Sequence, residues 1–294
     1  MSCAVIDIGA NTIRFSVYKF GAGSLKPILT KKSVAGLATY IEKSALSDKG
    51  KYKLSGVLKN HLTTLQQLKV EKIYAFATAS LRNTSNLEEV LRFVKNNCDI
   101  DIEVLSQDEE ARLGFLGIQN SYNTQDGITV DIGGGSTEIV KFVNSVPADS
   151  VNFGDGCLSL YYKYVQTLFP TENEVKKIDE HIKSKLPEEK KGDADLLIGI
   201  GGTIRALGNI LSELIPGNSN KDFTYDNLLE FYSAITGGSK STIKTVIQVV
   251  PERIHTITTG TIILKNIMEY FRTQNVHVCD TGLREGFFLN KVKQ

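Results

Sequence analysis

The sequence predicts an α/β protein built from two similar domains. Apolar strand-like segments alternate with amphipathic helical segments along the whole chain, which is typical of α/β folds. The tetrapeptide at 6–9, Ile-Asp-Ile-Gly, returns as Val-Asp-Ile-Gly at 130–133, and each copy is followed by a second strand-like segment. A length of 294 residues is also more than one typical domain needs. The internal repeat therefore favours two related domains.

The first half of the chain contains four predicted strands and three predicted helices. The strand at 12–20 has the two-residue alternation of a half-buried strand, and the segment 52–69 keeps its leucines at helical spacing. Ser85 and Glu88 have the spacing of a capping box that would open a helix. The predicted strands are 3–7, 12–20, 72–79 and 101–106, and the predicted helices are 52–69, 86–97 and 107–120.

The second half begins after a polar segment, 120–127, which is rich in turn residues. We place the domain boundary there, giving a first domain at 1–121 and a second at 122–283. We expect the C-terminal helix 284–294 to return to the first domain. Thr171 and Glu174 form a second capping-box pattern. The remaining predictions are strands at 128–142, 196–202 and 275–280 and helices from Thr203, over 252–271 and from Leu283.

Composition excludes several classes of protein. Hydrophobic residues make up 41% and charged residues 23% of the chain, as in ordinary globular proteins. No apolar segment approaches the ~20 residues of a membrane span, and the N-terminus lacks the features of a signal peptide. Four widely spaced cysteines favour free thiols in a cytoplasmic protein, and four scattered histidines argue against zinc. A net charge of +1 gives no reason to expect a nucleic-acid or membrane partner.

One segment has a strong local charge. Nine lysines and only two acids, Glu42 and Asp48, lie between Lys19 and Lys59. Such a segment is usually a solvated surface. A second interpretation is a positive track that holds a long polyanion. The sequence leaves both interpretations open.

Two Asp-x-Gly turns have the chemistry of a phosphate site. Glycines let backbone N–H groups approach a phosphate, hydroxyls donate to its oxygens, and aspartate holds a hydrated Mg²⁺. A single Asp-x-Gly would be an ordinary turn. Two copies, together with the glycine pair at 201–202, predict a phosphate-binding site. The first turn is Asp7, Gly9, Asn11 and Thr12; the second is Asp131, Gly133, Gly134, Gly135, Ser136, Thr137 and Glu138; the third group is Gly201, Gly202 and Thr203.

Six ordered motifs resemble one family. Together they span nearly the whole chain, and they are similar to the motifs of the exopolyphosphatase/guanosine-pentaphosphatase (Ppx/GppA) family. The segments are DIGANTIRF (7–15), ATASLRNTSN (77–86), QDEEARLGFLG (107–117), DIGGGSTEIV (131–140), GIGGTIRAL (199–207) and CDTGLREG (279–286).

This resemblance implies a fold and a reaction. The fold would consist of two actin-like (ribonuclease H-like) domains that enclose a phosphate-binding cleft. The reaction would release the terminal phosphate of inorganic polyphosphate, or the 5′ phosphate of guanosine pentaphosphate, with Mg²⁺ or Mn²⁺. We expect Asp7, Asp131 and Glu138 to hold the cation.

The resemblance also assigns individual roles. The family's catalytic base corresponds to Glu110, with Glu109 as the second candidate; both could instead be first-turn helix glutamates favoured by the helix dipole. Arg14 and Arg82, with Thr78, would contact phosphate oxygens, since guanidinium groups match phosphate geometry. Arg284 could contact phosphate or simply belong to a docking helix.

Two segments need separate comment. RIHTITTG (253–260) has His255 where the family usually has an aspartate, which puts one polar contact in doubt. TGGSKST (236–242) resembles a Walker A loop, but Ser239 replaces a required glycine, so we interpret it as a turn between helices.

The sequence leaves several functions open. The leading hypothesis is an exopolyphosphatase, and the second is a guanosine-pentaphosphate phosphohydrolase, or one enzyme with both activities. The third is a kinase or ATPase of the same superfamily, and the fourth is a non-catalytic sensor of guanosine tetraphosphate or pentaphosphate. The oligomeric state is also open, with a homodimer as one option.

Overall fold

The computed structural model describes residues 2–19, 27–119 and 121–292. The chain forms two compact units, Met1–Leu113 with Arg284–Gln294, and Gly114–Leu283. The first boundary therefore lies inside a helix and not in the polar segment at 120–127. The reason is packing: Phe115 and Ile118, on the second half of that helix, join a buried cluster of the second unit.

The first unit has a five-stranded sheet in the order β3-β2-β1-β6-β7. Strands β1, β2 and β3 are antiparallel, whereas β6 and β7 run parallel to β1. The elements are β1 (Ser2–Ile8), β2 (Thr12–Lys19), β3 (Leu29–Val34), a 3₁₀ turn (Leu37–Tyr40), β4 (Ile41–Glu42), β5 (Ala45–Leu46), α1 (Asp48–Gln67), β6 (Lys72–Ala77), α2 (Ala79–Arg82), α3 (Leu87–Cys98), β7 (Ile102–Val104) and α4 (Gln107–Gln119).

The second unit has a six-stranded sheet in the order β10-β9-β8-β11-β13-β12. The elements are β8 (Gly127–Ile132), β9 (Thr137–Val143), β10 (Val146–Phe153), α5 (Cys157–Tyr164), α6 (Glu172–Lys183), a 3₁₀ turn (Glu188–Lys190), β11 (Leu196–Ile200), α7 (Gly201–Leu214), β12 (Asp222–Thr224), α8 (Tyr225–Thr236), α9 (Lys240–Val249), a 3₁₀ turn (Pro251–Arg253), α10 (Ile257–Tyr270), β13 (Asn275–Val278) and, returning to the first unit, α11 (Leu283–Val292).

The two sheets share one plan, which confirms the predicted α/β class and the repeat. In the second unit β8, β9 and β10 form the antiparallel meander, and β11 and β13 continue the sheet in parallel. Strand β12 is an addition at the edge, antiparallel to β13. The repeated Val/Ile-Asp-Ile-Gly segments occupy the equivalent first strands, β1 and β8.

Each unit has its own apolar core. In the first, Leu54, Leu58 and Leu65 on one face of α1 are fully buried against the strands. In the second, α10 crosses the middle of the core, and nearly all of its side chains are buried. Burying one such leucine or isoleucine contributes about 1.5–3 kcal/mol. The helical spacing of leucines in the sequence therefore marked a genuine buried face.

Two helix starts were predicted wrongly. Ser85 and Glu88 do not form a capping box: α3 begins at Leu87, and the Asn86 side chain instead bonds the backbone of Leu46 in both directions, at 2.9 and 3.0 Å. The helix predicted over 252–271 begins only at Ile257, after the 3₁₀ turn.

Other local predictions are confirmed. The Thr171–Glu174 capping box is present, with the Thr171 amide donating to Glu174 at 2.7 Å. The segment at 236–242 contains the turn between α8 and α9, at residues 237–239. All four cysteines are free thiols.

Among the described residues, no helix is both long enough and apolar enough to cross a membrane.

Candidate active site

In the first unit, three neighbouring parallel strands end at one edge of the sheet. The Ser80 hydroxyl on α2 donates to the carbonyl of Ile8, at the end of β1, at 2.6 Å. The amide of Leu105, after β7, donates to the carbonyl of Ala77, at the end of β6, at 2.9 Å. The turns that follow β1, β6 and β7 are therefore tied together. Ligands of open α/β sheets bind outside such carboxyl ends.

The first Asp-x-Gly turn joins β1 to β2. Asp7 lies opposite Arg14 in the antiparallel register, so both side chains point to the same face. The Gly9 amide donates to the Thr12 carbonyl at 3.0 Å, and a Cβ on Gly9 would lie 3.1 Å from that oxygen. The Asn11 carbonyl accepts two amides that follow β3, each at 2.9 Å. The turn is closed by backbone bonds on both sides.

The second Asp-x-Gly turn, in the second unit, repeats this geometry. The Gly133 amide donates to the Ser136 carbonyl at 3.0 Å, and Asp131 lies opposite Glu138 across β8 and β9. The carbonyls of Gly133 and Gly134 accept the first amides of α5 at 2.9–3.0 Å. The carbonyl groups of Gly133 and Gly134 are therefore already bonded to α5. This arrangement leaves the amide side of the loop as the face that can bind an anion.

The third glycine group packs directly against the second turn. Gly201 has φ +80°, and a Cβ there would lie 2.1 Å from Asp131 Oδ1. The Thr203 hydroxyl donates to the carbonyl of Ile132 at 2.8 Å. Glycine is therefore required at 201 both by its backbone conformation and by the position of the Asp131 carboxylate. The structure joins Asp131, Gly133–Thr137, Glu138 and Gly201–Thr203 in one region.

Arg253 is a member of this region that sequence analysis missed. A Cβ on Gly202 would lie 2.1 Å from a terminal nitrogen of Arg253, and the other terminal nitrogen lies 3.5 Å from the Thr203 hydroxyl. His255 lies nearby, with its ring 5.4 Å from that of Tyr161. Burial and the Arg253 charge lower the pKa of His255. The sequence signal for Arg253 was its position in RIHTITTG, two residues before His255.

Glu110 is a buried carboxylate in the first unit. It is 7% exposed and forms an ion pair with Arg82. Arg82 is itself fixed, because the same guanidinium nitrogen donates to the Leu105 carbonyl at 2.7 Å. Its other terminal nitrogen is buried and has no hydrogen-bond partner among the residues that the structure describes. Arg82 thus holds Glu110 with one terminal nitrogen, while its second terminal nitrogen is a buried donor without a bond to the described residues.

Glu109, the second candidate for the base, has a different role. The Ser106 amide donates to its carboxylate at 2.8 Å and the Ser106 hydroxyl at 2.9 Å, and the Glu109 amide donates to the same hydroxyl at 3.2 Å. This is a reciprocal capping box at the start of α4. The Ser106 bonds lower the pKa of Glu109. The Ser-x-x-Glu pattern at 106–109 would have shown this from sequence.

The carboxylate pair of the second turn suits a divalent cation. The described residues contain no group of three or more His, Cys, Asp or Glu side chains that could hold a metal. Mg²⁺, however, commonly uses one or two carboxylates, several waters and the substrate's own phosphates. Asp131 and Glu138 supply two hard oxygen ligands on one face of the sheet. They fit that requirement.

The predicted site residues divide between the units. Glu138 is 6% exposed, and Thr78 stands at the start of α2, where its carbonyl accepts the amides of Leu81 and Arg82 at 3.1 and 3.0 Å. The first unit holds Asp7, Gly9, Asn11, Thr12, Arg14, Thr78, Arg82 and Glu110, and the second holds Asp131, Gly133, Gly134, Gly135, Ser136, Thr137, Glu138, Gly201, Gly202 and Thr203.

Paired sheets of this plan, each with a phosphate-type turn after its first strand, define an actin-like ATPase-type fold. A sequence model of the Ppx/GppA phosphatase family matches residues 16–294. The chain belongs to that family. It is 24% identical to exopolyphosphatase 1 of Mycobacterium tuberculosis, covering 99% of this chain and 88% of that protein. The corresponding Mycobacterium leprae protein is 23% identical, with 99% and 90% covered.

Solved structures agree with this assignment. The crystal structure of the Aquifex aeolicus Ppx/GppA family member is 29% identical and superposes with a TM-score of 0.82, covering 100% of this chain and 98% of that one. A Cytophaga hutchinsonii exopolyphosphatase, 19% identical, has the same fold with a TM-score of 0.87 over 100% and 98% of the two chains. The protein is a hydrolase that acts on phosphoanhydride bonds.

Proposed function

We propose that this protein is an exopolyphosphatase that hydrolyses the terminal phosphoanhydride of inorganic polyphosphate and releases orthophosphate. The observation that carries the proposal is the buried Glu110 carboxylate, held by Arg82 while Glu109 is occupied as a helix cap. A fixed carboxylate in the first turn of α4 can accept a proton, whereas the Glu109 carboxylate is already bonded to Ser106 as a helix cap. Relatives at 23–24% identity that are named exopolyphosphatase 1 support the substrate class.

In the proposed reaction a water molecule attacks the terminal phosphorus. The oxygen–phosphorus bond to the next phosphate breaks, and the shortened chain leaves as an anion. Glu110 accepts the proton that the water loses, since a positioned carboxylate can act as general base. Phosphoryl transfer demands mainly positioning and charge stabilisation from the protein. The remaining site residues would supply these.

Each unit offers its own candidate donors for phosphate oxygens. In the first, the spare nitrogen of Arg82, Arg14 and the Thr12 hydroxyl are the proposed donors. In the second, the amide face of the Gly133–Thr137 loop and the start of α7 at Gly201 are the proposed donors, because helix N-termini and glycine-rich turns bind anions. Asn11 and Thr78 complete the first set, and Thr203 completes the second.

We propose Mg²⁺ or Mn²⁺ as the cofactor, held by Asp131 and Glu138. When bound, such a cation neutralises charge on the phosphate oxygens in the transition state. Asp7, the third predicted ligand, belongs to the first unit and faces Arg14 there. Without a cation, an anionic substrate would meet the two carboxylates directly, which opposes binding at low dielectric.

Hydrolysis of guanosine pentaphosphate is the second candidate, alone or beside polyphosphate hydrolysis. The observation that favours it is the group formed by Arg253, His255 and Tyr161 next to Gly202. A guanidinium and aromatic rings can bind the further phosphates and the base of a nucleotide. A purely binding, non-catalytic role gains nothing from the buried Glu110. We propose no nucleic-acid or membrane partner, a cytoplasmic location, and leave a homodimer open.

The test is a set of phosphate-release assays in parallel. Polyphosphates of several lengths, guanosine pentaphosphate and ATP are compared with the same enzyme preparation, with Glu110→Gln as the blank for contaminating phosphatase. We expect the highest kcat/KM with polyphosphate. A preference for guanosine pentaphosphate would transfer the proposal to the second candidate. Hydrolysis of ATP alone would refute both.

A further inference from the structure

The C-terminal helix α11 brings a second arginine to the first turn. A terminal nitrogen of Arg284 lies 3.9 Å from Asp7 Oδ2, and the Arg284 side chain is only 13% exposed. Arg14 faces the same carboxylate across the β1–β2 ladder. Asp7 thus has one arginine on its own sheet and another delivered by a helix from the opposite end of the chain. This second contact depends on how α11 is docked.

The docking of α11 contains a buried polar bond. The Tyr18 hydroxyl donates to Glu285 at 2.6 Å, and both residues are almost completely buried, at 1% and 3% exposure. Burial and the Glu285 carboxylate raise the pKa of Tyr18. Phe288 stacks on the Tyr18 ring at 4.6 Å, and Phe287 packs on Phe76 at 4.7 Å.

Burying a carboxylate in a helix-docking contact carries a desolvation cost. Two aromatic contacts already bury apolar surface, and replacing a buried polar pair by apolar groups is often neutral or stabilising. What a directional hydrogen bond adds is a fixed rotation of the helix about its axis. Arg284 immediately precedes Glu285, so that rotation determines where the guanidinium lies. The bond is therefore best explained by the arginine beside it.

We propose that Arg284 is a positioning residue that orients the Asp7 carboxylate for phosphate hydrolysis, and that the Tyr18–Glu285 bond holds α11 in the rotation this requires. Arg284 acts through Asp7 and need not touch the substrate. The inference rests on the proposed hydrolase function. It predicts that loss of Arg284 lowers kcat while substrate binding changes little, because the donors of the turns themselves are unaltered.

The first experiment compares three variants. Arg284→Met keeps the length and removes the charge, Arg284→Lys keeps the charge, and Lys291→Met removes a cation from the same helix that pairs with Glu103 at 2.5 Å and not with Asp7. We expect Arg284→Met to lower kcat about tenfold or more with KM within about twofold. Arg284→Lys should restore part of the loss, and Lys291→Met should match the wild type.

The second experiment tests the route through α11. Tyr18→Phe keeps the stacked ring and removes the hydroxyl, so kcat should fall. The double variant with Arg284→Met should be no worse than Arg284→Met alone, because both changes disturb one contact. Additive losses, an unchanged kcat in Arg284→Met, or losses that follow thermal unfolding and are not rescued by lysine would each overturn the inference. No phosphate release by the wild type would instead refute the proposed function and the inference with it.

Discussion

The two Asp-x-Gly turns have nearly the same backbone and opposite charge patterns. In both, the glycine amide closes on a carbonyl three residues later at 3.0 Å, and the aspartate faces a charged residue of the second strand. In the first turn that residue is Arg14; in the second it is Glu138. One turn therefore pairs opposite charges and the other places two carboxylates side by side.

This difference suggests two tasks for one structural unit. Cross-strand neighbours have Cβ atoms about 5 Å apart, and two like charges at that distance repel by about 3 kcal/mol at an effective dielectric of 20. Such a pair is favourable when a cation lies beside it. The first turn, with its arginine, suits the substrate phosphate directly. The duplicated turn would thus have diverged into an anion-binding and a cation-binding version.

The largest effect should follow removal of the cation. With excess chelator, phosphate release should fall to background, and Mg²⁺ or Mn²⁺ should restore it. The comparison becomes sharper with matched neutral variants: Glu138→Gln should raise the Mg²⁺ concentration needed for half activity, whereas Arg14→Gln should raise KM for substrate instead. Full activity in excess chelator, or identical effects of the two variants, would show that the turns do not differ in this way.

The next largest effect concerns Glu110, the proposed base, which lies in the first unit. Glu110→Gln keeps the size and the contact with Arg82 but cannot accept a proton. Loss of a positioned base costs about 10²–10⁴ in rate, or roughly 3–5 kcal/mol. We expect kcat to fall by this factor while substrate still raises the thermal unfolding temperature.

Glu109→Gln is the matched control for that prediction. Its carboxylate is a helix cap, so the change should reduce stability slightly and leave kcat close to that of the wild type. Collapse of kcat in Glu109→Gln with normal turnover in Glu110→Gln would reverse the two roles. Normal turnover in both would place the base elsewhere.

Much of this comparison was accessible from sequence because it depends on local pattern. The strand–turn–strand repeats, the glycines and the carboxylates were predicted with their positions, since backbone requirements of turns are encoded in a few adjacent residues. The pairing of Asp7 with Arg14 and of Asp131 with Glu138 is a matter of register. A turn of known length fixes that register, and the sequence could have shown it.

The contacts that join distant segments were not predictable in the same way. Arg253 reaches Gly202 from fifty-one residues further along the chain, and Arg284 reaches Asp7 from the other terminus. No periodic pattern and no motif spacing in the sequence indicates either contact. Ser85 failed as a cap because Asn86 found a partner at Leu46, a tertiary contact that overrides the local signal. Strand β10 and helix α5 were also missed, although α5 closes the second turn.

A third prediction concerns the pH dependence of stability in the first unit. His61 on α1 is fully buried beneath the first sheet, bonded to the Ser33 hydroxyl at 2.8 Å, and burial lowers its pKa from 6.5 to about 4. The unfolded chain then takes up a proton below pH 6.5 while the folded chain stays neutral. Stability should therefore decrease as pH falls from about 6.5 to 4, by up to ~3 kcal/mol.

The measurement is urea unfolding of the wild type and His61→Gln across that pH range. The variant should be less stable at pH 7, because it disturbs a packed site, but its stability should decline less steeply as the solution is acidified. Parallel pH profiles for the two proteins would mean that His61 does not contribute to acid sensitivity.

A fourth prediction tests the close packing of the second turn. Gly201→Ala places a methyl group at φ +80°, a conformation that costs about 1–3 kcal/mol, and against the Asp131 carboxylate. Stability and metal activation should both suffer. Gly202→Ala is the neighbouring control, since its methyl group meets the flexible end of the Arg253 side chain. It should keep the stability of the wild type, and an equal loss in both variants would contradict the role given to Gly201.

The smallest effect concerns the lysine-rich segment between Lys19 and Lys59, which belongs to the first unit only. Lys26 lies outside the described residues, and Lys51 is buried in ion pairs with Asp48 and Glu89, so it cannot belong to a polyanion surface. Lys49 and Lys53 are exposed, one turn apart on α1. An exposed charge contact contributes about 0.2–1 kcal/mol.

Replacing Lys49 and Lys53 by glutamine should therefore raise KM for long polyphosphate only about two- to fivefold, and less in high salt. The shortest chains should be unaffected, because they do not reach beyond the turns. The second unit offers a matched pair, the exposed Lys240 and Lys244 at the same spacing on α9. If their replacement raises KM equally, the effect is one of net charge. If neither pair changes KM, the lysine-rich segment is an ordinary solvated surface, and the anion-binding role of the first unit is confined to its turns.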